Sequence, residues 1–276
     1  AANAVYECRA RGIFRKERMT PLAGDRVMIE LLGEGKGVLS QILDRRNQLV
    51  RPPVANLDCL VIVVSIADPA PVPLLVDQMV AIAEKNHIEP VIVINKSDLG
   101  DTRQWEETYR LAGLPVFALS ALDAEATALL RQALAGKLSA FTGNSGVGKS
   151  SLLNAMYPTL SLETGEISQK LGRGRHTTRA VTLYPLPEGG YIADTPGFSS
   201  LDMERAQPIL KNELADCFRE FAPFWGQCRF TSCAHIKEKD CAIRQAVEDG
   251  KIARSRYDSY VAMYEQVKDK EEWSLR

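Results

Sequence analysis

"GNSGVGKS", residues 143–150, is the stretch whose reading decides the fold. Its spacing is Gly-x4-Gly-Lys-Ser, an apolar strand pattern ("LSAFTG") runs into it, and a helical pattern starts at Lys149. In that setting glycine lets the backbone curl until successive N–H groups converge on a phosphate, and the helix N-terminus adds its dipole. The cradle begins at Gly143 and is lined by Asn144, Ser145, Gly146, Val147, Gly148 and, one residue on, Ser151. Lys149 is placed to reach the β- and γ-phosphates, and the Ser150 hydroxyl to ligate magnesium. The motif specifies a nucleoside triphosphate and is silent about the base.

The base is written upstream, in "INKSDL" (94–99), at the end of the apolar run "PVIVIN". Asp98 can accept two hydrogen bonds, from the N1–H and exocyclic amino group of guanine. Adenine offers an acceptor at N1 and would leave the carboxylate unsatisfied, a mismatch able to discriminate by roughly 10⁴–10⁵. Asn95 is expected to bond the base edge and brace the loop and Lys96 to lay its stem along the ring, with Ser97 the spacer of this nucleotide-binding loop. After the next strand, Ser120, Ala121 and Leu122 form a further loop whose Ala121 N–H suits the guanine O6. "DTPG" (194–197) supplies Asp194 to hold magnesium through water and the Gly197 N–H to meet the γ-phosphate. Between lies the arginine-rich "GRGRHTTR" (172–179), where Thr177 and Thr178 each offer a hydroxyl to the magnesium shell; Thr178 is preferred. A solvated basic loop would look the same.

Around these motifs, residues 57 to about 200 alternate apolar strand and helix, with helices expected near 73–87 and 123–136. Continuous β-branched runs of this kind imply a sheet covered on both faces. The motif order is base, base, phosphate, switch, switch, where Ras-like proteins place the phosphate loop first. A chain so permuted leaves the domain soon after the segment that senses the γ-phosphate, so whatever follows residue 200 is tethered to the switch.

The flanks differ in character. Residues 1–55 contain short β-like pieces ("AVYECRA", "RVMIELL", "GVLSQIL") that suit a small oligonucleotide-binding (OB) barrel. Three or four strands are visible where that barrel needs five; the chain starts without Met, and loss of a first strand is the expected reason. Ten lysines and arginines outnumber the acids in this head while the whole chain has a net charge of −1, which hints at an anionic partner. "RPPVAN" (51–56) reads as a stiff linker. Residues 203–276 read as helical, with a loop, "CRFTSCAHIKEKDC" (228–241), that spaces Cys228, Cys233, His235 and Cys241 for a closed structural zinc site. Cys8, Cys59 and Cys217 read as packing residues, and "RSRYDSYVAMYEQVKDKEEW" as an amphipathic helix on its own domain. No apolar run approaches the roughly 20 residues of a membrane span. The cytoplasm is the expected compartment and a monomer the expected state.

The permuted order, the basic β-rich head, "RPPVAN" and the cysteine-rich tail together resemble the ribosome small-subunit-dependent GTPase A family of bacteria. The resemblance implies three units: an N-terminal OB-like barrel (1–55), a circularly permuted α/β P-loop GTPase domain (56–202) and a mainly helical zinc-binding domain (203–276). It also implies GTP hydrolysis to GDP, stimulated by the small (30S) ribosomal subunit and its rRNA during late assembly. The position that holds the water-orienting Gln in Ras-like enzymes is Phe198 here, so the lone enzyme is expected to be slow. His176 is the candidate to act on the water once a partner orders its loop, with contact to solvent or RNA phosphate as the alternative. Two rival functions are an RNA-binding module with a catalytically passive GTPase domain and a phosphate-loop nucleotide kinase, which would gain nothing from Asp98.

Overall fold

The computed structural model describes residues 4–12, 14, 19–158, 181–194 and 208–269. Its centre is a six-stranded sheet. In chain order the strands are β6 (Cys59–Ser65), β7 (Glu89–Asn95), β8 (Val116–Ala118), β9 (Leu138–Thr142), β10 (Thr182–Pro185) and β11 (Tyr191–Asp194). In space they lie β10-β11-β9-β6-β7-β8, all parallel except the edge strand β10. The phosphate-loop strand β9 is therefore central, between β11 and β6, although the chain reaches it only after β6, β7 and β8. Because the five parallel strands run the same way, the loops after β6, β7, β8 and β9 all emerge at one edge, where ligands bind in open α/β sheets.

The sequence of β6, "CLVIVVS", shows why the sheet is buried on both sides: every one of its residues is buried. Successive side chains point to opposite faces. Leu60, Ile62 and Val64 pack against α1 (Pro73–Lys85) and Tyr109 of α2 (Arg103–Leu111). Cys59, Val61 and Val63 pack against α3 (Ala124–Leu134) and α4 (Lys149–Met156). Each large aliphatic side chain fully buried this way contributes about 1.5–3 kcal/mol. Pro73 opens α1 with a φ already suited to a helix. Asp123 caps α3, its carboxylate accepting from the N–H groups of Glu125 and Ala126 at 3.0 Å.

In the head, β1 (Glu7–Ala10), β2 (Val27–Gly33) and β3 (Lys36–Ile42) form a three-stranded sheet in the order β1-β3-β2. The five-stranded closure of an OB barrel does not appear among the described residues. A second small pair, β4 (Gln48–Leu49) with β5 (Val54–Ala55), leads into the central sheet. The expected linker is instead a packed joint: Val54 and Ala55 are fully buried. There Ala55 N–H donates to Ala23 O at 2.8 Å, and the Asn56 amide donates to Gly24 O at 3.0 Å. Gly24 is obligatory, since a Cβ on it would stand 2.1 Å from Ala55 O.

The C-terminal unit contains two short 3₁₀ segments (Ala215–Cys217 and Arg219–Phe224), α5 (Ala242–Glu248) and α6 (Arg254–Val267). Helix α6 does not pack on its own unit alone. Its Arg256, 1% exposed, reaches across to Asp77 on α1 at 2.7 Å and grips Glu220 at 2.7 and 3.1 Å. Of the three cysteines expected to pack, Cys59 and Cys217 are buried, whereas Cys8 is exposed, because both faces of the β1 strand are open to solvent.

Candidate functional site

The phosphate loop crosses directly over β6. Gly143 has φ +142°, and a Cβ there would lie 2.1 Å from Val63 O. At the other end Gly148 has φ +89°, and a Cβ would stand 2.4 Å from the Asn95 Nδ2. That crowding is the mark of a built contact: Asn95, buried at the end of β7, donates from Nδ2 to Val147 O at 2.9 Å. Residues 52 apart in the chain thus join the base loop to the phosphate loop. Lys149 donates from Nζ to Gly143 O at 2.6 Å and Asn144 O at 2.9 Å, both neutral carbonyls of its own loop. Burial lowers its pKa. No carboxylate pairs with it among the described residues, so an anion arriving in the loop would meet an uncompensated ammonium group. Ser150 and Ser151 sit in the first turn of α4, whose N-terminus opens onto the same loop.

The base loop is tied to its neighbour as well. Ser97 N–H donates to Leu119 O at 3.1 Å and Leu119 N–H to Ile94 O at 2.9 Å, which sets the Ser120–Ala121–Leu122 turn beside the Asn95 loop. Ser120 is buried, with its Oγ accepting from Leu122 N–H at 3.3 Å, while the Leu122 side chain is 90% exposed. Lys96 adopts the left-handed region (φ 60°) and donates from Nζ to Asp68 O. The two aspartates of the loop differ in employment. Asp101 is held by Arg103 at 2.6–3.1 Å, which pulls its carboxyl down to about 2. Asp98 is exposed and has no hydrogen bond or ion pair among the described residues. Asn95 Oδ1 is likewise without a partner. Two acceptors on one loop therefore lack donors, which suits a ligand edge carrying N–H groups.

Asp194 ends β11 at the same sheet edge, paired across to Thr182. Its side chain, and His176, Thr177, Thr178, Gly197 and Phe198 with it, lie outside the described residues. The structure adds one segment that the sequence did not single out. Ser65, at the end of β6, accepts from Ala67 N–H at 3.3 Å and donates to Asp68 O at 3.4 Å, fixing the turn that receives Lys96. The signal available for it was "SIADPAP" (65–71), turn chemistry directly after a buried strand.

The cysteine-rich loop closes on itself. The ligand atoms of Cys228, Cys233, His235 and Cys241 all lie within 4.8 Å of one another. The Sγ atoms of Cys228 and Cys241 are 3.9 Å apart, and His235 Nδ1 lies 3.6 and 3.5 Å from them. A tetrahedral zinc with bonds of about 2.3 Å to sulfur and about 2.0–2.1 Å to nitrogen requires separations of roughly 3.8 and 3.5 Å. The donor set and its spacing fit. Glu238 accepts from the N–H groups of Ala234, Ile236 and Lys237 at 2.9–3.0 Å. Tyr257 and Tyr260 donate to the carbonyls of His235 and Ala234 at 2.8 Å. Burial pushes the Cys233 thiol up to about 12, raises that of Cys241 and lowers the His235 imidazole. The shift favours the neutral imidazole that a ligand must be, and a divalent cation would draw the protons from the thiols.

A mostly parallel sheet carrying a phosphate loop after β9 and an Asn-Lys-x-Asp loop after β7, joined by Asn95, defines a P-loop GTPase with its motifs in circularly permuted order. Family models agree: RsgA GTPase matches residues 42–204, and the RsgA N-terminal domain matches residues 1–39. The chain is 48% identical over 270 residues to the small ribosomal subunit biogenesis GTPase RsgA of Caldanaerobacter subterraneus subsp. tengcongensis, covering 97% of this chain and 90% of that protein. It is 42% identical over 276 residues to the protein of the same name from Bacillus subtilis, covering 98% and 91%. Its fold is similar to the crystal structure of YjeQ from Thermotoga maritima (TM-score 0.80, 36% identity, 96% of this chain and 90% of that one). It is also similar to that of YloQ, a circularly permuted GTPase (TM-score 0.79, 38% identity, 96% and 87%). The chain belongs to the RsgA GTPase family, and it is a GTP hydrolase.

Gly148→Ala places a methyl group where the Asn95 amide now sits. Guanine-nucleotide affinity, measured by fluorescence titration, is expected to fall at least about tenfold, the equivalent of about 1.4 kcal/mol. Unchanged affinity would contradict the contact between the loops.

Proposed function

We propose that the chain hydrolyses GTP in response to the small (30S) ribosomal subunit during late maturation of that subunit, and that hydrolysis releases it. The observation that carries the proposal is the Asn95–Val147 contact, which joins the base loop to the phosphate loop. The biological setting is supported by relatives 42–48% identical over nearly the whole chain, which are named as biogenesis GTPases of that subunit.

In the pocket, Asp98 accepts from the guanine edge, Asn95 and the Ala121 N–H bond the base, and the Lys96 stem and Leu122 flank the ring. Backbone N–H groups from Asn144 to Lys149 hold the β-phosphate, and Lys149 moves from its two carbonyl partners to the β- and γ-oxygens. Ser150, Thr178 and, through water, Asp194 would hold magnesium, which neutralises charge on the phosphates when bound. Gly197 N–H meets the γ-phosphate, and Phe198, which cannot orient water, leaves the isolated chain slow. Contact with the subunit brings His176 over the water; completing a GTPase site through a partner is worth on the order of 10⁵ in Ras. The basic head contacts rRNA phosphates. Cys228, Cys233, His235 and Cys241 hold one structural zinc, whose four protein ligands leave no open position for catalysis.

Phosphate release, measured while purified small subunits are titrated in, is expected to rise steeply and to lose that stimulation as salt is raised. Turnover that stays negligible with saturating subunits would favour a passive RNA-binding module instead. Metal analysis of the folded, unchelated chain is expected to return one zinc per molecule, and a clearly substoichiometric value counts against the zinc assignment.

A further inference from the structure

Helix α1 touches the nucleotide site at one end and the C-terminal unit along its length. The turn that leads into it holds Lys96 through Asp68 O, and Pro69 Cδ stands 3.4 Å from where a Cβ on Gly146 would be. Further along the helix, Met79 Sδ accepts from Thr142 Oγ1 at 3.5 Å, and Thr142 is the residue before the phosphate loop. On its other side Asp77 Oδ1 accepts from Arg256 at 2.7 Å and from Tyr109 OH at 3.0 Å. The Arg256 guanidinium also lies 4.6 Å over the Phe218 ring. At the end of the helix, Lys85 bonds Pro208 O and Glu213 at 3.0 and 2.7 Å, and Arg219 bridges Glu84 and Glu89. Residues 76–83 of α1 are buried without a break, so the helix is packed on every side over that stretch.

We infer that α1 is a link by which the occupancy of the phosphate loop and the seat of α6 are coupled, with the buried Asp77–Arg256 pair as the contact that makes α6 follow. Apolar contacts can slide past one another at small cost. A desolvated ion pair cannot, because parting it leaves a charge stranded in the interior. The cluster is also not arranged for stability alone: two carboxylates share one guanidinium, and Asp77 Oδ2 is buried with no partner. This route is separate from the chain segment after residue 200, since it runs through side chains that can be altered without touching that segment. It rests on the preceding reading that a guanine nucleotide fills the loop.

Hydrogen exchange on the full chain, with and without a non-hydrolysable GTP analogue, tests it. Peptides covering 143–156 report occupancy and those covering 254–267 report the coupling. In the unaltered chain both are expected to gain protection. In Asp77→Ala, which leaves Arg256 paired with Glu220, the first gain should persist and the second fall by at least half. By reciprocity the same variant should change the affinity for the analogue at least threefold. If Asp77→Ala does not fold, Asp77→Asn serves, its amide still able to accept from Tyr109 but without the charge. Protection at 143–156 with none at 254–267 in the unaltered chain overturns the coupling, as does a variant that responds like the unaltered chain. No protection at 143–156 removes the nucleotide reading itself, and the coupling with it.

Discussion

A single buried hydrogen bond, from the Asn95 amide to Val147 O, joins the Asn-Lys-x-Asp loop to the phosphate loop. It works only because Gly148, next along, has no side chain and a backbone conformation that L-residues rarely adopt. Without it, the base loop would be fixed to β7 and β8 and the phosphate loop to β9 and α4, with β6 between them. The distance between a base reader and a phosphate cradle has to match one nucleoside. A contact that pins the phosphate loop to the rigid end of β7 sets that distance more exactly than two free loops could.

The same geometry accounts for the tolerance of the permuted order. What the site needs is parallel strands whose carboxyl ends share an edge, and the sheet supplies this whichever strand is written first. Side chains of the wholly buried β6 point alternately to its two faces and so tie both helical layers to it. On its outer side α1, which in chain order comes between the first central strand and the base loop, receives the C-terminal unit. Glu84, Lys85 and Asp77 are all used for that purpose.

Much of this was legible in the residues. The phosphate loop, the base loop and the Cys-x4-Cys-x-His-x5-Cys spacing each demand particular residue types at particular intervals, and the structure brings each set together where it is described. The helices expected near 73–87 and 123–136 are Pro73–Lys85 and Ala124–Leu134. What was not legible depends on contacts between distant segments. The "RPPVAN" stretch looks like a spacer because prolines are common in spacers, yet Val54 and Ala55 are core residues. Nothing local distinguishes Arg256 from a surface arginine on an amphipathic helix; only the arrival of Asp77 and Glu220 buries it. Helix α2 went unread because its apolar stripe is thin, with Tyr109 its one buried side chain. In the head, alternating strands identify a β unit without saying how many strands close it.

The claim on which everything else turns is that Asp98, exposed and unpaired among the described residues, selects guanine. Its most direct measurement is the affinity of the chain and of Asp98→Asn for guanosine and xanthosine diphosphates. An asparagine can donate to the xanthine 2-oxygen and no longer accepts both guanine N–H groups, so the preference should pass from guanosine to xanthosine. If the variant keeps its guanosine preference, Asp98 does not read the base and the pocket described here is wrongly assigned.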